Sequence, residues 1–119
     1  MINFSEFFKA YNFRLNDEQV QQATAKIIAE HFAENNNVEV YKQCLNLIDL
    51  TSLNGSDTDA GIQSMVNKVN DFGANFPHLP NVAAICVYPA MTPVVKQYLT
   101  EPIEIASVAA GFPASQTFI

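Results

Sequence analysis

Hydrophobic positions along this chain recur first at helical spacing and then in short uninterrupted runs. Phe4, Phe7, Phe8 and Tyr11 fall at i, i+3, i+4 and i+7, one stripe of a short amphipathic helix. Asn16 followed by Gln19 has the form of a capping box, and Val20, Ala23, Ile27, Ile28 and Phe32 continue at helical spacing. The run Asn35-Asn36-Asn37 ends that helix, and a third is predicted from Val38 with Tyr41 and Leu45 turned inward. This helical region, residues 1–46, is more charged than residues 47–119. It reads as an extension packed beside the main sheet, which the later residues form.

From Leu47 the rhythm becomes strand, helix, strand, helix, strand. Residues 47–50 read as the first strand and 54–57 as a turn, with Ser56 or Asp57 as the N-cap of the next helix. Ile62, Met65, Val66, Val69 and Phe72 line one face of that helix, and Gly73 stands where a C′ residue would end it. Pro77 and Pro80 bracket a loop into the segment NVAAICVYP at 81–89. Its residues 82–87 show no alternation of apolar and polar positions. Such runs belong to parallel strands covered by helices. Thr92 and Pro93 form an N-cap and N1 pair ahead of inward-facing Val94, Val95, Tyr98 and Leu99. A third apolar strand starts at Ile103 and ends at Val108. Gly111-Phe112-Pro113 reads as a strand-to-helix turn, Ser115 as a cap, and residues 116–119 as a first helical turn. The order of elements predicts an α/β fold with a parallel sheet.

Composition sharpens this picture. The 119 residues are one ordinary domain by length, 49% hydrophobic but only 15% charged. Soluble domains carry roughly a quarter charged residues, so part of this surface is expected to be covered by something else. A net charge of −6, from six Lys and Arg against twelve Asp and Glu, excludes the basic footprint that nucleic acid or anionic membranes require. The opening MINFSEFFKAYNF lacks the basic and apolar regions of a signal peptide, and no apolar run reaches the length of a membrane span. Cys44 and Cys86 are too few and too far apart for a metal cluster. They read as free thiols in a reducing cytoplasm.

Chemistry in parallel α/β sheets gathers at the carboxyl ends of the strands, which directs attention to Asp49, Cys86 and Tyr88. Asp49 sits among Leu47, Ile48, Leu50 and Leu53. A buried carboxylate there costs several kcal/mol unless it is paired. Two readings stay open: a functional acid, or a strand-end carboxylate satisfied by a neighbouring turn or lysine. Cys86 is likewise a reactive thiol or a small core hydrophobe, and Tyr88 closes its strand. His31 and His78 have no partner at metal-ligand spacing. Ser107 and Ser115 lack a nearby base, and Gly73 and Gly111 form no phosphate loop.

Asp49-Leu50-Thr51 with Leu53-Asn54, then Asp57-Thr58, then NVAAICVYP at 81–89, and finally Ile105-Ala106-Ser107-Val108 before Gly111-Phe112-Pro113, resemble deoxyribose-phosphate aldolase from about Leu47 onward. The resemblance implies a class I aldolase on a (β/α)8 TIM barrel. Such an enzyme cleaves 2-deoxyribose 5-phosphate to acetaldehyde and glyceraldehyde 3-phosphate without metal or cofactor. In that family a lysine on a later strand forms a Schiff base, a second lysine lowers its pKa, and an aspartate relays protons. By the same resemblance Asp49 is the first-strand aspartate of the water network. Cys86 is a pocket cysteine within reach of reactive aldehydes, and Leu53 is an apolar residue beside the substrate.

A barrel of this kind takes about 250 residues, and this sequence reads as its first three βα units. Lys9, Lys26, Lys42, Lys68 and Lys96 all fall on predicted helices, so none stands in for the strand-end amine and the chain alone is expected to be inert. Three origins are compatible with such a chain. It is the amino-terminal portion of an aldolase, cut by proteolysis, by design or in its gene. It is a self-associating half-barrel module whose homo-oligomer forms through the edge strand 103–108. Or it is one chain of a split enzyme completed by another.

Overall fold

The computed structural model describes residues 4–10, 16–114 and 116. They form two compact units, residues 1–37 and 38–119. In the first unit, α1 (Phe4–Ala10) is a two-turn helix, and Tyr11 of the expected stripe lies outside the described residues. Phe7 and Phe8 meet edge to face at 5.9 Å, yet Phe4, Phe7 and Phe8 all remain exposed. Helix α2 (Asp17–Asn35) starts where the sequence marks it. Asn16 accepts the Gln19 amide at 2.9 Å, and the Gln19 side chain accepts the Asn16 amide at 3.0 Å. This reciprocal pair satisfies two of the four amides that a helix start leaves unpaired. Asn36 closes the helix by donating its amide to Phe32. The helix buries nothing: Val20, Ile27, Ile28 and Phe32 are exposed.

The second unit opens with α3 (Val38–Asn46), on which Leu45 is half-buried but Tyr41, expected inward, is exposed. Strand β1 (Asp49–Ser52) begins two residues later than the apolar run suggests. The amides of Leu47 and Ile48 bond back to Cys44 and Leu45, prolonging the turn that ends α3, so strand geometry starts only afterwards. Helix α4 (Asp59–Asn70) is capped by Thr58, which accepts the Gly61 amide at 3.2 Å, rather than by Ser56 or Asp57. Asp57 is drawn away by the Ser52 hydroxyl and the Asn54 amide in the loop before the helix. Gly73 does not end α4 either. Asp71 does, and the chain at once re-enters a short helix, α5 (Phe72–Asn75), which contains Gly73. Phe72 therefore stacks on Phe76 at 5.0 Å instead of extending the α4 face.

Strand β2 (Ala84–Val87) leads through Tyr88 into a 3-10 turn (Pro89–Met91) and then α6 (Thr92–Tyr98). That turn displaces the expected cap by one residue. Met91 occupies the cap position, and Thr92 is already helical, donating its hydroxyl to the Tyr88 carbonyl at 3.4 Å. Strand β3 (Glu104–Ser107) is shorter than the segment 103–108. Gln116 has φ of 50° and is not helical, contrary to the first turn expected there; Ser115 and 117–119 lie outside the described residues.

The strands form one parallel sheet ordered β1-β2-β3. Register places Asp49, Ala84 and Glu104 in one row, then Leu50, Ile85 and Ile105, then Thr51, Cys86 and Ala106, then Ser52, Val87 and Ser107. Because side chains alternate across a strand, Leu50, Ile85, Val87 and Ile105 share one face. That face meets Ile62, Val66 and Val69 of α4, Met91, and Val95 of α6 in a single buried cluster. Asn70 clamps the helix ends together, donating to the Tyr98 carbonyl at 2.8 Å and accepting the Thr100 amide at 3.0 Å. The opposite face carries Asp49, Thr51, Cys86, Glu104 and Ala106. Helices α4 and α6 thus cover β2 on one face, in line with the helix-covered parallel strand read from its apolar run. No helix among the described residues is long and apolar enough to cross a membrane.

Candidate functional site

The site is assembled on the face that the helices leave open. Asp49 and Thr51 stand two residues apart on β1 and so point the same way. Thr51 lies directly opposite Cys86 on the central strand. Asp49 is exposed, not buried as its apolar neighbours suggest, because it stands on the face of β1 opposite the one that α4 and α6 cover. The desolvation cost expected for it does not arise. Cys86 is buried, at 8% exposure, since β2 has a neighbour strand on each side.

Burial pushes the Cys86 thiol above its ordinary pKa, and the nearby Asp49 charge pushes it further; a hydrogen bond from the Thr51 hydroxyl acts the other way. These signs are the expected ones, since desolvation and an adjacent anion both disfavour a thiolate, whereas a donor favours it. The one Thr51 hydroxyl proton has an alternative acceptor in the Asp49 main-chain carbonyl, 3.0 Å away. A thiol whose pKa is raised in this way is a poor nucleophile. Tyr88, at the end of the same strand, is 1% exposed, and its hydroxyl has no hydrogen-bond partner among the described residues.

Leu53 follows β1 directly and is half-buried at the root of the β1–α4 loop. The loop is braced from within. Asp57 accepts the Ser52 hydroxyl at 2.9 Å and the Asn54 amide at 3.1 Å, and Asn54 also donates its side-chain amide to Asp57 at 3.3 Å. From the far end of the chain, the Gln116 side-chain amide reaches the carbonyls of Asn54, Gly55 and Asp57 at 3.4, 3.0 and 3.1 Å. The Gln116 carbonyl meanwhile accepts the Ala90 amide at 3.2 Å.

Asp49, Thr51 and Cys86 are therefore brought together, with Leu53 beside them at the strand's end. The bland alternative for Asp49, a carboxylate satisfied by a lysine, finds no ion pair among the described residues. Reading residues singly singled out neither Thr51 nor Gln116. The period-two step from Asp49 would have found Thr51; Gln116 has no local signal, because its partners lie about sixty positions earlier. A cleft of about 420 Å³ opens elsewhere, lined by Pro89, Thr92, Pro93, Lys96 and Ser107. It contains none of the candidate residues; the groups able to do chemistry gather on the strand face instead. Among the described residues no cluster of His, Cys, Asp or Glu is arranged to hold a metal ion. His31 bonds Glu34 along its own helix at 2.6 Å.

Over 105 residues the chain is 30% identical to a putative deoxyribose-phosphate aldolase of Caenorhabditis elegans, covering 85% of this chain and 34% of that protein. Over 93 residues it is 36% identical to the deoxyribose-phosphate aldolase of Homo sapiens, covering 65% of this chain and 28% of that protein. The chain thus spans about a third of the length of these curated relatives. No protein-family profile matches it.

Proposed function

We propose, for a chain homologous to deoxyribose-phosphate aldolases over most of its length, that residues 47–119 build the early wall of an aldolase pocket in a (β/α)8 barrel, preceded in sequence by a helical extension at 1–46. The observation that carries this reading is the sheet: three parallel strands with helices on one face and Asp49, Thr51 and Cys86 on the other. In a closed barrel that second face turns inward and the pocket lies at the carboxyl ends of the strands. Asp49 then supports the water network, while Cys86 and Leu53 line the space occupied by the sugar.

The reaction is reversible cleavage of 2-deoxyribose 5-phosphate. A lysine amine condenses with the C1 aldehyde and releases water. The C2–C3 bond breaks, glyceraldehyde 3-phosphate leaves, and the electron pair is held as an enamine. Protonation of the enamine and hydrolysis return acetaldehyde and the free amine. Lys9, Lys26, Lys42, Lys68 and Lys96 all lie on helices, so in this reading the amine comes from sequence outside these residues and no metal or cofactor is needed. Two free thiols fit a reducing compartment such as the cytoplasm.

Borohydride treatment of the 119-residue chain with 2-deoxyribose 5-phosphate should leave its mass unchanged. Residues 47–119 joined to the remainder of the human relative should restore cleavage. In that fusion Asp49→Asn should slow turnover on the order of 10²-fold, the lower end for a positioned acid–base group. An imine trapped on one of the five lysines, or an inert but folded fusion, would overturn the reading.

A second reading concerns association. Among the described residues strand β3 is an edge, paired only with β2, and carries half-buried Ile105 and Ala106. Unpaired edges of this kind recruit other strands, so the chain on its own forms a homo-oligomer through residues 103–108. Sedimentation at micromolar concentration should show a dimer or larger species; a stable monomer would end the idea.

A further inference from the structure

The loops at the carboxyl ends of the strands are held by one residue distant in sequence from all but its own. Gln116 lies beyond β3, yet its side chain meets the β1–α4 loop and its main chain meets the turn after β2. We infer that Gln116 is a positioning residue: a hydrogen-bond donor that fixes the β1–α4 loop, and with it Leu53, against the end of the sheet.

Three features support a donor role over simple packing. The atoms facing the side chain are all carbonyl oxygens, of Asn54, Gly55 and Asp57. Only a hydrogen-bond donor satisfies such a cluster, and a primary amide supplies two N–H groups. Those three carbonyls belong to the turn that Asp57 braces from its other side through Ser52 and Asn54. Asp57 thus supplies acceptors to the loop and Gln116 supplies donors, so between them the Asn54 amide and the carbonyls of Asn54, Gly55 and Asp57 are paired. Finally, Gln116 adopts a φ of 50°, a left-handed conformation that residues other than glycine take at a cost. The side-chain bonds and the Ala90 amide offset that cost and keep the residue where it reaches both loops.

That this loop borders a substrate pocket rests on the proposed aldolase reading. The latch itself does not, and its test needs no substrate. Amide hydrogen exchange of the 119-residue chain would be followed at Asn54 and Asp57, with Ile85 and Val66 as reporters of the intact fold. Gln116→Glu keeps the shape and removes both donors; it should speed exchange at Asn54 and Asp57 roughly tenfold or more while leaving Ile85 and Val66 protected. Gln116→Ala should do the same. Gln116→Lys, whose ammonium offers three donors, should hold exchange within about twofold of the parent. Wild-type protection of the loop in Gln116→Glu would overturn the inference, since shape alone would then suffice. Fast exchange in Gln116→Lys equal to that in Gln116→Glu would overturn it as well. Were Gln116→Glu to lose protection at Ile85 too, the comparison of Gln116→Ala with Gln116→Lys would decide the matter.

Discussion

On one face of the sheet Leu50, Ile85, Val87 and Ile105 lie beneath α4 and α6; on the other Asp49, Thr51 and Glu104 meet solvent while Cys86 is buried. The same strands serve both faces, one residue out of phase. Stability is concentrated on the first, where apolar area leaves water. The second holds groups that would lose hydration if covered and gain nothing in return unless paired. Polar groups are retained on that side, and a three-stranded sheet tolerates them because its core lies entirely on the other.

The largest expected effect breaks the comparison where it is strongest. Ile85 is fully buried at the centre of the helix-covered face. Ile85→Ala should cost about 3 kcal/mol, within the usual range for deleting a buried branched side chain. Glu104→Gln, in the adjoining row on the open face, should change stability by less than about 0.5 kcal/mol. Urea unfolding with unchanged m-values would measure both. Equal costs would mean that the open face is covered in solution.

A smaller effect probes the end of β2, where the two faces meet. Tyr88 is as buried as Ile85, but its hydroxyl is unpaired among the described residues, and an unsatisfied buried polar group is a liability of about 1 kcal/mol or more. Tyr88→Phe should therefore leave stability unchanged or raise it by up to about 1 kcal/mol in thermal melts. A loss of similar size would reveal a partner for that hydroxyl in solution.

Much of this division was legible in the sequence, and the parts that were not share a cause. The helical spacing of Ile62, Val66 and Val69 and the Asn16–Gln19 box depend on neighbours within a few residues, and both appear as read. The limits of β1, the cap of α4 and the state of Asp49 depend on what lies across space. Leu47 and Ile48 are claimed by the end of α3, Asp57 by Ser52 and Asn54, and Asp49 by solvent. The unbroken apolar run of β2 marked a parallel strand covered by helices, and α4 and α6 supply that cover. Ala84 and Cys86 are small enough to be sheltered by neighbouring strands, so their apolar character carried no information about a second layer of helices. Among candidate residues, Asp49 and Cys86 were visible through residue type and strand position. Gln116 acts across about sixty residues through backbone carbonyls, which leave no mark on composition.

The finest distinction between the faces is electrostatic and can be read at one thiol. Cys86 is pushed above its ordinary pKa by burial and by Asp49, and pulled back in part by Thr51. Below the ordinary thiol pKa, folded and unfolded chains both hold the proton and the contribution to stability is complete. As pH rises past that value the unfolded thiol ionises first, so stability falls until the folded thiol ionises in turn at its raised pKa. Cys86→Ala should remove this part of the alkaline decline. Iodoacetamide should reach exposed Cys44 well before Cys86 at any one pH, as peptide mass spectrometry would show. Asp49→Asn removes the anion, lowers the Cys86 pKa and should speed its alkylation, whereas Thr51→Val should slow it. If Asp49→Asn left the rate unchanged while Thr51→Val altered it, the carboxylate would be too well solvated to reach the thiol, and the open face would hold two independent groups instead of a coupled pair.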